Sequence, residues 1–293
     1  MAMRDLSISV HFARAVLKNA VEQGLDPISL LRKNRISPRL LLEENARISI
    51  ERFADLQVSV MLAMGDEALG YTSRRMPLGA WSMMCHAVIG TETLGQAIAR
   101  YCRFYQLFEF GAHPHLVLDD DEARIQVLTV NQEVAPDPYM LELLLFNAHR
   151  FSSWLIQEHL PLQVANLPYP PAAQVTDYRA MFLGNPVAFE QDQAELVFSR
   201  HLLERRVMQT EQSLRHFLRH PVRLPMTESY ANTSWTARVR EMVHQNLADM
   251  PELNDVAAML EVHPQTLRRR LSAEGTTFKE IKSQVRRDTA LYF

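Results

Sequence analysis

The pattern that most constrains this chain lies near its C-terminal end. Leu253, Val256, Ala257 and Leu260 recur at i, i+3, i+4 and i+7, the single apolar face of a short helix, and Ala257 is small enough to let another helix approach closely. The turn Glu261–Val262–His263 follows, and then Pro264, which suits the first position of a new helix because its missing N–H would have no partner there anyway. In that new helix Leu267 and Leu271 point inward at i and i+4, and Gly275 offers a left-handed cap. Before the pair, Val239, Met242, Val243 and Leu247 form another apolar stripe. After it, Thr277 and Glu280 form a capping box ahead of Phe278, Ile281 and Val285. These residues predict an all-helical unit over 236–293, built around a helix-turn-helix.

The outer face of the second helix carries the chemistry. Gln265, Arg268, Arg269 and Ser272 share it at i, i+3, i+4 and i+7. A helix fits the major groove of B-DNA, where arginine reads guanine O6/N7 and glutamine reads adenine N6/N7. Gln265, Arg268 and Arg269 are therefore the expected base readers. Thr266, Arg270, Ser272, Lys279, Lys282 and Arg286 are expected at the DNA backbone, where cations supply affinity and salt dependence rather than sequence choice. The alternative is a solvated basic face. Charge distribution supports the first reading. The formal net charge of −3 hides 16 Lys/Arg against 23 Asp/Glu over residues 1–199, while 263–287 holds 7 basic and 2 acidic residues.

Upstream the chain mixes helices and strands, an α+β reading for residues 1–207. Helical periodicity runs through 11–33 with a break at Gly24, from Ser49 to Gly65, and from Thr91 or Thr93 through LGQAIARYCRFYQLF. HLVLDDDEARIQVLTV reads as two strands around an acidic turn, and further short strands are expected in LQVANLPYPP and PVAFEQDQAELVFSRHLL. The greasiest stretch, Tyr139 to Ile156, is interrupted by Glu142, Asn147, His149 and Arg150. It reads as an amphipathic helix and not as the ~20 apolar residues of a membrane span. Residues 208–235 are expected to hold a helix and a linker, best placed at 221–234. The N-terminus does not read as a signal peptide, and Cys85 and Cys102 form no CxxC pair, so a cytoplasmic location is expected.

No catalytic motif stands out, and the expectation is a non-enzyme without cofactor or metal. His113 and His115 lack an evident third ligand, Met83–Met84–Cys85–His86 reads as core packing, and Gly65 to Gly70 lacks the lysine of a phosphate loop. A small-molecule pocket in the first part would draw on Trp81, Tyr101, Tyr105 and Trp154, with Arg74, Arg75 and Arg103 available for a carboxylate.

Residues 253–293 closely resemble the first helix-turn-helix and linker helix of AraC/XylS-type transcription regulators. The resemblance is carried by Ala257, Leu260, Val262, Thr266, Leu267, Arg269, Leu271, Glu274, Gly275 and Phe278. The stretch from Pro170–Pro171 through Tyr178, Phe182, Gly184–Pro186–Val187, Phe189, Leu196, Phe198, Leu202 and Leu203 resembles the end of the effector-binding domain in the ornithine/arginine-regulator branch. The resemblance implies a ligand-responsive DNA-binding regulator, activator or repressor, with double-stranded DNA, a small effector, a second copy of the chain and RNA polymerase as partners. It also implies a second helix-turn-helix after the linker helix, in which the 293 residues end. The other reading is therefore a truncated sensor or dimerisation module that does not bind DNA alone. Many such regulators have serine where His263 stands, so the recognition helix is expected to have a weaker cap.

Overall fold

The computed structural model describes residues 7–108, 111–129, 136–227, 235, 238–239, 242–243, 246, 250–273 and 277–290, with backbone alone at 273, 284 and 286–290. Short strands β1 (Ser7–Ser9) and β2 (Arg47–Ser49) pair antiparallel, and each ends in a serine that starts a helix. The Ser9 hydroxyl accepts from the His11 N–H at the start of α1 (Val10–Glu22). The α2 helix (Pro27–Lys33) follows beyond the Gly24 turn. The Ser49 hydroxyl then accepts from the Arg52 N–H in α3 (Ile50–Met64). Gly65 closes α3 at φ 63°, a left-handed conformation that a residue with a Cβ adopts only under strain. Next come α4 (Ala80–Ile89) and α5 (Leu94–Gln106), the latter capped by Thr93, whose hydroxyl accepts from the Gln96 N–H.

The character then changes as the sequence predicts. Strands β3 (Ala112–Leu118) and β4 (Glu122–Thr129) form a hairpin in the register Leu118↔Ala123 to Ala112↔Thr129. Its acidic turn is tied down by Arg124, which pairs with both Asp119 and Glu122. The long helix α6 (Pro138–Ile156), β5 (Val164–Asn166), α7 (Val175–Met181), β6 (Val187–Ala188) and β7 (Glu195–Ser199) complete a five-stranded sheet in the order β3-β4-β7-β5-β6. There β5 runs parallel to β6, and the other pairings are antiparallel.

The α6 helix departs from the amphipathic expectation. Sixteen of its residues are buried, including Glu142, His149 and Arg150. Polar side chains survive inside because each finds a partner. The Tyr169 hydroxyl donates to Glu142, the His149 ring meets the Leu160 carbonyl at 2.9 Å, and the Arg150 guanidinium donates to the Ala180 and Met181 carbonyls.

The stretch read as helix and linker folds in part onto this first core. In α8 (Glu211–Phe217), Leu214 and Phe217 are fully buried, with the Phe217 ring 4.3 Å from that of Trp154. Arg223–Thr227 forms a short helix, α9, which packs on α3 and α6, and its Arg223 pairs with Glu51. Residues 228–234, the rest of the expected linker, lie outside the described residues. A separate apolar cluster holds Val239, Val243, Leu253, Val256, Ala257, Leu260, Leu267, Leu271, Ile281 and Val285. It joins α10 (Leu253–Met259), α11 (Pro264–Ala273) and α12 (Phe278–Ala290), helices with the apolar spacing that the sequence predicts.

Candidate functional site

The chain presents two sites, a basic helix face and a cavity. The turn from α10 into α11 is made possible by Glu261 at φ 55°. His263 fills the cap position: its Nδ1 lies 3.3 Å from the Gln265 backbone nitrogen and accepts that N–H, as a serine hydroxyl would. Leu267 and Leu271 are buried, which turns Gln265, Arg268, Arg269 and Ser272 out to solvent together and leaves Thr266 half-buried. The Arg270 side chain is exposed, and its guanidinium carbon lies 4.4 Å from the centre of the Trp235 ring. Arg238 sits at the same distance from that ring. This cation–π contact anchors the Arg270 guanidinium on the Trp235 ring.

The capping box at α12 forms in both directions, Thr277 N–H to Glu280 and Glu280 N–H to the Thr277 hydroxyl. Lys279 is exposed beside it. Lys282 is placed differently from the expected backbone contact. Its side chain is only 13% exposed and pairs with Glu252, the residue that caps α10. Gly275 and the Arg286 side chain lie outside the described residues.

The cavity lies between α3, α6, the loop after α3, and the chain at 221–226. Gln57, Met61, Tyr71, Met76, Trp81, Tyr105, Met140, Leu144 and Phe146 are among its lining; its cavity volume is about 90 Å³ and it is partly open to solvent. Two adjacent carboxylates build the loop. Asp66, buried, accepts the N–H groups of Ala68, Gly70 and Met76. Glu67 accepts those of Gly79 and Trp81, both at 2.7 Å, so it closes the entry of α4 and sets Trp81 in place. Burial pushes the Glu67 carboxyl up, against those two N–H bonds, which pull it down. Gly70 is where this loop meets α1: a Cβ there would stand 2.9 Å from the Asn19 Cβ.

Of the residues expected around a pocket, Trp81 and Tyr105 line this one. Tyr101 packs against Tyr105 and Phe151, and Trp154 stacks on Phe151, in the core rather than on the lining. Arg74, Arg75 and Arg103 are exposed and outside the lining, whose one charged side chain among the described residues is Glu67. Cys85 and Met84 are buried, as core packing requires, while Met83 is exposed. His115 meets the Gln106 side chain at 3.2 Å, and among the described residues no group of three His, Cys, Asp or Glu could hold a metal. Among the described residues no helix is long and apolar enough to cross a membrane. Sequence reading passed over Gln57, Asp66, Glu67 and the 221–226 segment. The one signal is Gly65–Asp66–Glu67, two acids directly after a helix stop and ahead of a loop and a new helix start, whose backbone N–H groups need acceptors.

Comparison with known proteins places these features in a family. Residues 24–207 match the arabinose-binding domain of AraC transcription regulator, N-terminal. The chain is 26% identical over 287 residues to the ornithine utilization regulator of Pseudomonas aeruginosa, an alignment covering 98% of this chain and 84% of that protein. An HTH-type transcriptional regulator of Mycobacterium bovis is 41% identical over 56 residues, 19% of this chain and 16% of that protein. Among solved structures, the transcriptional regulator CdpR from Pseudomonas aeruginosa aligns with a TM-score of 0.36 at 19% identity, over 95% of this chain and 84% of that one.

Proposed function

We propose that this chain, which belongs to the AraC family of transcription regulators, reads DNA through the outer face of α11 and answers to a small molecule held in its N-terminal part. The observation that carries the DNA reading is the joint exposure of Gln265, Arg268 and Arg269 on a helix whose opposite side, Leu267 and Leu271, is locked into a core. A side chain reads a base edge only if its helix is held in one orientation, and the buried leucines supply that. Arg270, Thr266, Ser272 and Lys279 flank this face as phosphate contacts; Arg286 belongs with them by sequence. The division into an effector part over 1–207, a connecting stretch over 208–235 and a DNA-reading part over 236–293 goes with this reading. So do a cytoplasmic location, a second copy of the chain and RNA polymerase as partners, and a role in regulation rather than catalysis.

The test is a binding titration at fixed salt, on an operator selected from random DNA by the chain itself. Arg268→Ala and Arg269→Ala should each cost ~1–3 kcal/mol on that operator and relax preference at one base position. Equal loss on every sequence would make that arginine a phosphate contact. Failure of the chain to select any sequence would overturn the reading in favour of a sensor that does not bind DNA.

A further inference from the structure

The cavity says more about its ligand than the family does. From its lining we infer that the molecule it holds is uncharged and mostly apolar, with one neutral head group that both donates and accepts a hydrogen bond, and that its presence is sensed through Pro221, Val222 and Met226. This rests on the effector reading above and narrows it.

Three observations converge. The first is charge. Among the described residues Glu67 is the one charged side chain of the lining, and both its oxygens already accept backbone N–H groups, from Gly79 and Trp81. An anion entering here loses its water and gains no cation. A cation meets a carboxylate that burial pushes toward its neutral form and that is already engaged. The second is a pair of unsatisfied polar atoms. Among the described residues the Gln57 Oε1 and the Trp81 Nε1–H find no hydrogen-bond partner; both atoms have almost no accessible surface, and both belong to residues that line the cavity. One is an acceptor and the other a donor, the two kinds of group that a primary amide or an alcohol pairs with. The rest of the lining is mostly Met, Leu, Ala, Val, Pro and aromatic, which fits an apolar body. Of its polar groups, the Thr72 and Tyr71 hydroxyls already donate to the Arg74 and Ala15 carbonyls, and Asn147 is a further polar side chain.

The third observation is connectivity. Pro221, Val222 and Met226 form part of the cavity wall, and α9 packs on α3 and α6, which supply the opposing lining. In sequence, the helices that carry Arg268 and Arg269 come after Thr227. A ligand touching both sides strengthens the seating of 221–226 on the first core, and it therefore favours whichever arrangement of the DNA-reading helices is compatible with that seating.

The experiment uses the full chain and three probes of one chain length: octanamide, octanoate and octylamine. In calorimetric titration octanamide should bind about a hundredfold more tightly than either ion, because burying an unpaired charge is far costlier than burying a paired amide. Gln57→Leu and Trp81→Phe should each weaken octanamide about fivefold, the loss of one hydrogen bond. Hydrogen exchange at the amides of Val222, Arg223, Leu224, Met226 and Thr227 should slow when octanamide is bound. Octanoate or octylamine binding as tightly as octanamide would overturn the neutral head group, as would variants that bind octanamide unchanged. Protection of α3 and α6 without protection of 222–227 would overturn the sensing wall. If none of the three probes binds, the ligand assignment falls. Operator binding by the same preparation would then show that the regulator reading stands without it.

Discussion

Glu142 shows what a single residue contributes when its surroundings are not visible in its own stretch of sequence. It sits inside α6, 2% exposed, and accepts a hydrogen bond from the Tyr169 hydroxyl. Burial pushes its carboxyl up to about 7, with the Tyr169 and Tyr178 hydroxyls pulling the other way. The folded chain therefore holds this proton more tightly than the unfolded chain does. Its contribution to stability is fully present below the unfolded value of about 4.3 and is lost as pH rises through about 7. Glu142→Gln, which keeps the shape and removes the charge, should leave stability unchanged near pH 4 and raise it by on the order of 2 kcal/mol at pH 8. Urea unfolding at the two pH values checks this, and an equal effect at both would rule out the proton as its cause. The charge of Glu142 is legible in the sequence, whereas its burial depends on Tyr169 and Tyr178, which lie well along the chain.

At the scale of elements, local rules work where an element's partners are its own neighbours. The Thr93 cap, the Ser49 start and Gly65 stop of α3, the β3–β4 hairpin, the Pro264 start and the Thr277–Glu280 box are all formed from residues a few positions apart. They fail for α6, because a helix covered on every side has no period to betray which polar residues face a partner. They are silent on the loop between α3 and α4, whose form depends on two carboxylates gathering five N–H groups. Glu67→Ala should cost about 2 kcal/mol in denaturant unfolding, since two N–H groups lose a charged acceptor. It should also change the fluorescence of Trp81, whose backbone that carboxylate holds. Unchanged emission in a destabilised variant would show that Trp81 is positioned by packing alone.

At the scale of the whole molecule, the separation of charge is the governing property. An acidic N-terminal stretch disfavours DNA, and the basic run over 263–287 attracts it, so the net charge of −3 describes neither. Operator affinity should fall steeply with salt, and Lys279→Ala should reduce the slope of log K against log salt by about 1, because that exposed cation releases a counterion on binding. Lys282→Ala should leave the slope nearly unchanged and instead destabilise the α10–α12 packing, since its ammonium is already spent on Glu252. Titrations at several salt concentrations separate the two. Equal slope changes would return Lys282 to the DNA surface.

Sequence alone determined the alternation of elements, the acidic-to-basic change along the chain, the outward basic face of α11 and the family, because each depends on spacing within a few turns or on a local count of charges. Tertiary structure decided the cavity, the exclusion of Arg74, Arg75 and Arg103 from its lining, the pairing of Lys282 and the attachment of 221–226 to the first core. Those depend on which distant segments meet. Whether a charge is solvated, paired or stacked is set by that meeting, and one-dimensional periodicity carries no record of it.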